Sequence, residues 1–532
     1  MFKVYYSERG RKTKIDEIKR ELKKKEIKIT DEILEKAFRL FERQSEVDYF
    51  INKNAKEFLK EQFKLWLHNY IFEEEGKFSK ERIEQLQILK DIAFKIIDFV
   101  SQFEDELLKI WKKPKFVLNS NYVITLDRIA KKGGWEIIEK IQKHKGWKEQ
   151  VKEWKDLGIL EKEPEDLIEN TLTGKQLKKE YQFLPIDTKY FKDLELEILN
   201  LFDNLDQSLD GWLIKSENWQ ALNTILPKFK EKIQTIYIDP PFKTGEDFYY
   251  IDRFQTSTWL TLMKNRLTLA VEFLKPDGNL FVHLDWNANY LGRSLLTELF
   301  PVITEIIWNT NATREEEAGL FSYKSFGEKY VRQHDTIFQC SLSENFKFRK
   351  LWKPNRVKTK LKIGWLDLIS FPIVSNPQKI KDFKFYVECW DEKGNFALKE
   401  IPINEKIFPI GDIWNDVYSF MQSELRVSES LGFPTQKPEN LLRRIVQSTT
   451  EEGDIIMDFF AGSGTTLAVA HKLKRKWIGI EMADYFKEFW HDGNEKKLGM
   501  LGRMKIVLHG DKKFRAVNKE RGSHLSLSVQ NN

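Results

Sequence analysis

Two short stretches of this chain carry residue types whose spacing could do chemistry. In "TIYIDPPFKTG", Thr235–Gly245, an apolar run meets an acid, two prolines and an aromatic ring. Consecutive prolines donate no backbone hydrogen bonds and fix φ near −65°, so the chain must leave its strand at Asp239. The exocyclic amine of a nucleobase is a poor nucleophile because its lone pair is delocalised into the ring. Asp239 and the Pro240 carbonyl could each accept one of its N–H groups and draw the nitrogen toward a tetrahedral geometry. Pro241 stiffens the corner, and Phe242 offers a face on which a base taken out of a duplex could stack.

The second stretch is "DIIMDFFAGSGTTLAVA". It reads as a buried strand ending near Asp458, Phe459 and Phe460, then a tight turn through Ala461, Gly462, Ser463 and Gly464, then a helix from Thr465 and Thr466. Such a strand–turn–helix brings backbone N–H groups close to a nucleotide-like ligand. Glu481, closing the next strand in "KWIGIEM", could accept hydrogen bonds from two ribose hydroxyls. The P-loop lysine and spacing are missing, and so is the third glycine of a dinucleotide site. A ligand with a ribose and no pyrophosphate fits, and S-adenosylmethionine is one.

The elements around these stretches follow from periodicity. From "GWLIKSENWQAL" to "GNLFVHLDW" strands and helices alternate, and the rhythm returns at "QKPENLLRRIVQSTTEEGDIIMDFF". This predicts an α/β fold with a parallel sheet covered by helices and interrupted by an insert at about 311–410. Upstream, helical stripes recur: Phe58, Phe63, Trp66 and Tyr70, then Leu89, Ile96, Val100 and Phe103. They predict the core of a helical bundle.

Bulk composition constrains less. The 532 residues exceed one ordinary core. A net charge of +6 is compatible with nucleic acid without being diagnostic. Two cysteines make neither a disulfide framework nor a metal cage, and no metal is expected. No run approaches the ~18 apolar residues of a membrane span, and the N-terminus lacks a secretory core, so the expected location is cytoplasmic, with no membrane partner.

"DPPF" followed far downstream by "DFFAGSGTT" resembles the β-class DNA amino-methyltransferases, including the modification subunits of type III restriction–modification systems. The resemblance spans roughly residues 200–510. It implies a Rossmann-like S-adenosyl-L-methionine-dependent sheet, circularly permuted, with the catalytic motif before the cofactor motif and a target-recognition region between. It divides the chain into a mainly helical domain for DNA or partner contact (1–200), a catalytic half (201–310), a target-recognition insert (311–410), and a cofactor half with the tail (411–532). "PTQKPENLLRRIV" matches the family helix at the methionine end of the cofactor, which implies a binding role for Lys437. Glu217 stands where the family places an acid near the cofactor adenine. "HDTIFQCS" matches the last strand before the insert.

The acid that opens the Pro-Pro motif implies methylation of adenine N6. The alternatives are cytosine N4, or a recognition subunit without catalysis. Implied partners are double-stranded DNA, a restriction (nuclease or helicase) subunit, and a second copy of the chain. Two departures from the family pattern stand out. Phe242 replaces the commoner tyrosine, and "RGSHLSLSVQNN" lacks the family's aromatic, Gly-rich ending, which implies a shortened C-terminus.

Overall fold

The computed structural model describes residues 52–73, 80–172, 174–241, 256–310, 333–354, 385–390, 396–401, 407–417 and 435–510 except 493, with a few isolated positions besides. Residues Met1–Ile51 make one compact unit and Asn52–Asn532 another. All that follows concerns the second.

The second unit opens with two helices, α1 (Ala55–Glu73) and α2 (Lys80–Lys112). The Glu104 carboxylate accepts from the amides of Lys53 and Ala55, both at 2.6 Å, and so caps the first turn of α1. Phe63 meets Phe94 edge-on between the helices, with centroids 6.3 Å apart. The helices form where periodicity predicts them, but among the described residues most of the stripe is left uncovered. Phe58, Trp66, Leu89, Ile96 and Val100 are exposed, and Phe99 and Phe103 keep 73% and 74% of their surface. Period 3.6 fixes which residues share a face, while burial depends on a partner that local spacing does not encode. Replacing Phe99 and Phe103 together by serine is expected to leave the thermal midpoint within about 2 °C. A scanning-calorimetry loss of many degrees would instead place both rings in a core.

Residues 122–202 pack around their own cluster, with Ile129, Ile138, Trp154 and Phe191 completely buried. Helix α3 (Trp147–Asp156) belongs to it. This region also contains short antiparallel strand pairs, in a segment expected to be mainly helical.

The central sheet has eight strands: β1 (Gly211–Lys215), β2 (Ile233–Ile238), β3 (Leu274–Leu284), β4 (Val302–Asn309), β5 (His334–Ser341), β6 (Ile413–Trp414), β7 (Ile455–Asp458) and β8 (Lys476–Glu481). Their spatial order is β6-β4-β5-β3-β2-β7-β8-β1, parallel throughout except for β5, which runs antiparallel to both neighbours. Every residue of β2 is buried, as expected of a central parallel strand covered on both faces. The covering helices are α4 (Asn218–Phe229), α5 (Thr256–Phe273), α6 (Glu439–Thr449) and α7 (Thr465–Lys472). A last helix, α8 (Met500–His509), places Met500 and Met504 in the core with Leu467, Ala468 and Tyr237.

Strands β2 and β7 are hydrogen-bonded neighbours although the whole insert separates them in the chain. This is the permuted Rossmann-like sheet that the motif order implies. One boundary needs correction: the catalytic half does not end at 310. Strand β5 lies inside the span assigned to the insert, yet it pairs with β3 and β4 in the central sheet. Of the insert proper, the described part includes an antiparallel pair, Phe385–Trp390 with Phe396–Ile401. The C-terminal tail lies outside the described residues.

Candidate active site

Asp239 follows the last residue of β2, so its carboxylate stands at the carboxyl edge of the sheet, where open α/β folds bind ligands. Pro240 is buried and Pro241 partly buried. The Pro241 carbonyl accepts a 2.7 Å hydrogen bond from the indole of the buried Trp259 on α5, which ties the corner to the helix behind it. Phe242 lies outside the described residues. One oxygen of Asp239, Oδ2, receives the ammonium of Lys437. The other, Oδ1, is buried and has no hydrogen-bond partner among the described residues. A buried acceptor without a donor is costly, so this oxygen is a ready site for an incoming N–H.

The second stretch folds as its glycines require. Gly462 and Gly464 have φ of +52° and +75°, and Gly464 caps α7 from the left-handed region. Asp458 is turned into the loop: it accepts from Thr466 Oγ1 at 2.6 Å and from the Phe460 amide at 3.0 Å. Burial pushes its carboxyl up to about 7, against the pull of those two bonds. Ala461 donates its amide to Ile480 on β8, and the rings of Phe459 and Phe460 lie 5.4 Å apart. Ser463 and Thr465 are buried with their hydroxyls 3.2 Å apart, and Thr465 also donates to the Lys437 carbonyl at 3.1 Å.

Glu481 stands beside this turn. Its Oε2 accepts from the Gly462 amide at 3.0 Å, and its Oε1 from Met482 and Ala483 at 2.8 and 2.9 Å. Burial raises its carboxyl despite these bonds. The field of Asp239 and Glu481 adds to the upward push on Asp458, so the three acids share one electrostatic environment. A cationic ligand suits such a cleft.

Glu217 is engaged from two sides. It caps α4 by accepting from the Gln220 amide at 2.9 Å, and its other oxygen receives Arg266 Nη2 at 2.6 Å. Arg266 Nε donates to Asn218, whose amide group reaches the Phe459 carbonyl at 3.0 Å. The Ser-Glu-Asn segment is thereby fastened to the glycine turn.

Sequence reasoning missed Arg266, Trp259 and Arg503. Arg266 is 1% exposed and sits in the apolar stripe of α5 with Trp259, Leu262, Met263 and Leu267. A charge at a core position of an amphipathic helix was the available signal. Arg503, on α8, donates to Thr465 Oγ1 at 2.9 Å, to the Ser463 carbonyl at 3.2 Å and to Glu439 at 3.0 Å.

A family described as DNA methylase matches residues 233–491. The probable type III restriction-modification enzyme HindVI Mod subunit of Haemophilus influenzae is 29% identical over 370 residues, covering 52% of this chain and 49% of that subunit. The chain therefore spans about half the length of that relative. The type II methyltransferase M2.DpnII of Streptococcus pneumoniae is 60% identical over 285 residues, covering 51% of this chain and 84% of its own. Among solved structures, that of the M1.HpyAVI-SAM complex matches at 17% identity over 52% of this chain and 96% of its own, with a TM-score of 0.30, too loose a superposition to argue from.

Proposed function

Because the chain belongs to the DNA methylase family, we propose that it transfers a methyl group from S-adenosylmethionine to adenine N6 in double-stranded DNA. The observation that carries this reading is the unpartnered Asp239 Oδ1, buried at the edge of the strand next to the glycine turn.

The residues present fit the cofactor. Gly462 leaves the turn open, since a Cβ there would meet nothing closer than 3.6 Å, and the acids around it suit a sulfonium cation. Glu481 is the acceptor for the ribose hydroxyls, and Glu217 the acid toward the adenine. Bound, the cofactor supplies an electrophilic methyl group. Asp239 Oδ1 and the Pro240 carbonyl accept the two N–H bonds of the target amine and localise its lone pair. Held by the glycine turn and Glu481, the cofactor would give up that methyl to the lone pair and leave as neutral S-adenosylhomocysteine, and the amine proton would pass to solvent. Phe242 stacks on the flipped base.

Some relatives are by name type III Mod subunits. We extend to this chain a restriction subunit and a second copy as partners, and a cytoplasmic location. In support of the last, no helix among the described residues is long and apolar enough to cross a membrane.

The test is transfer of labelled methyl to unmethylated genomic DNA, followed by nucleoside analysis. Label in N6-methyladenine is expected. Label in N4-methylcytosine would keep the mechanism and replace the base, and absence of label would leave a recognition subunit.

The turn supplies a separate prediction. A Cβ on Gly464 would sit 2.8 Å from Met500 Cγ at a φ that side chains avoid. Gly464→Val is expected to cost about 1–3 kcal/mol in local strain. Calorimetric titration should show cofactor affinity falling at least about tenfold, the equivalent of 1.4 kcal/mol.

A further inference from the structure

Lys437 stands in the segment that the resemblance assigns to the methionine end of the cofactor. Its contacts among the described residues point elsewhere. The ammonium is on Asp239 Oδ2 and also lies 3.3 Å from the Thr435 carbonyl. Its own carbonyl is held by Thr465 Oγ1 at 3.1 Å, and Thr465 is in turn held by the buried Arg503. Pro438, the next residue, caps α6 with φ at −70° and fixes the direction from which Lys437 leaves the helix. The lysine is thus clamped at its backbone by the first residue of the cofactor helix and at its tip by the catalytic carboxylate.

The two oxygens of Asp239 differ for this reason. An aspartate carboxylate rotates about its last bond with little preference, so an unanchored one would present either oxygen over a wide arc. Lys437 occupies Oδ2, and Oδ1 is left as a buried acceptor with no partner among the described residues. We propose that Lys437 is a positioning residue for Asp239: its ammonium pins one carboxylate oxygen so that the other is aimed at the target amine. The same lysine makes the corner sensitive to the cofactor turn, because any shift of Thr465 is passed through the Lys437 peptide to Asp239. This inference rests on the methyl-transfer reading and assigns Lys437 a task within it.

The experiment compares Lys437→Met, Lys437→Arg, Asp239→Asn and the Lys437→Met/Asp239→Asn double variant in the full chain. Single-turnover methyl transfer and calorimetric S-adenosylmethionine titration are read in parallel. Lys437→Met is expected to slow transfer about 100-fold, the cost of ångström-scale misplacement of a reacting group, while cofactor affinity stays within about threefold. Lys437→Arg, which keeps the charge, should recover part of the rate. In the Asp239→Asn background the lysine substitution should cost almost nothing further, since residues acting through one contact are not additive. A tenfold or greater loss of cofactor affinity in Lys437→Met would overturn the proposal and make the lysine a cofactor ligand. Additive losses in the double variant would also overturn it. Should the unsubstituted chain transfer no methyl to any DNA, the functional reading fails by itself, and the titration still decides whether Lys437 serves the cofactor or the carboxylate.

Discussion

Asp239→Ala is expected to lower methyl transfer by about 10³-fold, the scale of removing a preorganised electrostatic partner from a reacting centre. Binding of S-adenosylmethionine should persist, because the turn that would hold it is built by other residues. Asp458 and Thr466 close the loop, Glu481 ties it through the Gly462 amide, and Asn218 fastens Phe459 from α4. None of these contacts passes through Asp239. The substitution also leaves Lys437 without its carboxylate; its side chain is 11% exposed, and the flexible stem lets the ammonium turn toward water. Stability should therefore change little while the rate collapses. Single-turnover assays beside a cofactor titration separate the two effects. Parallel loss of both would mean that the corner and the turn are one structural unit, and that Asp239 contributes to folding more than to the reaction.

The contrast between what could and could not be read in the residue string has a physical origin. The Pro-Pro corner and the glycine turn were legible because each is a local backbone constraint: two fixed φ angles at 240–241, two left-handed residues at 462 and 464. Their adjacency followed from the motif order, and β2 and β7 do pair. Side-chain partnerships across the cleft were not legible. Nothing in the spacing of "TQKPEN" says that Lys437 reaches Asp239, because the contact depends on how α6 leans over the edge of the sheet. Nor does any local pattern pair Arg266 on α5 with Glu217, which caps α4. The stripes on α1 and α2 failed for a related reason. They announced helices correctly, but an amphipathic face states only that it wants a partner, and Ile96 and Phe103 face solvent. Long-range polar contacts carry much of the architecture around the site, and they are the part that a one-dimensional reading sees least.

The largest stability effect belongs to one such contact, far from the chemistry in sequence. Lys505 on α8 is fully enclosed, and its ammonium bonds Asp187 at 2.6 Å, Glu153 at 2.8 Å and Glu488 at 3.1 Å. The three acids bring oxygens within 4.8 Å of one another, a spacing that could suit a cation. Here Lys505 supplies one charge and Lys189, also bonded to Glu153 and Glu488, a second. Glu153 and Asp187 belong to the 122–202 region, while Glu488 and Lys505 follow the cofactor strand. The cluster therefore rivets that region onto the methyltransferase sheet. Lys505→Met keeps the length of the side chain and removes its charge, leaving buried carboxylates short of a partner. The expected cost is about 3–5 kcal/mol, the range for breaking a buried ion pair from one side.

Its pH dependence distinguishes this cause from lost packing. Burial alone would raise Glu488, but Lys505 and Lys189 outweigh it and hold the carboxyl at about 2. A carboxyl depressed in the folded state contributes its full stability above its unfolded value of ~4.3 and loses it as pH falls toward the folded value. Without Lys505 much of that depression disappears. The gap in urea midpoint between Lys505→Met and the unsubstituted chain should be widest at about pH 7 and narrow steadily below about pH 5, where protonation relieves the unpaired acids. A packing defect would keep the same gap at both ends of that range, since a cavity is indifferent to protons.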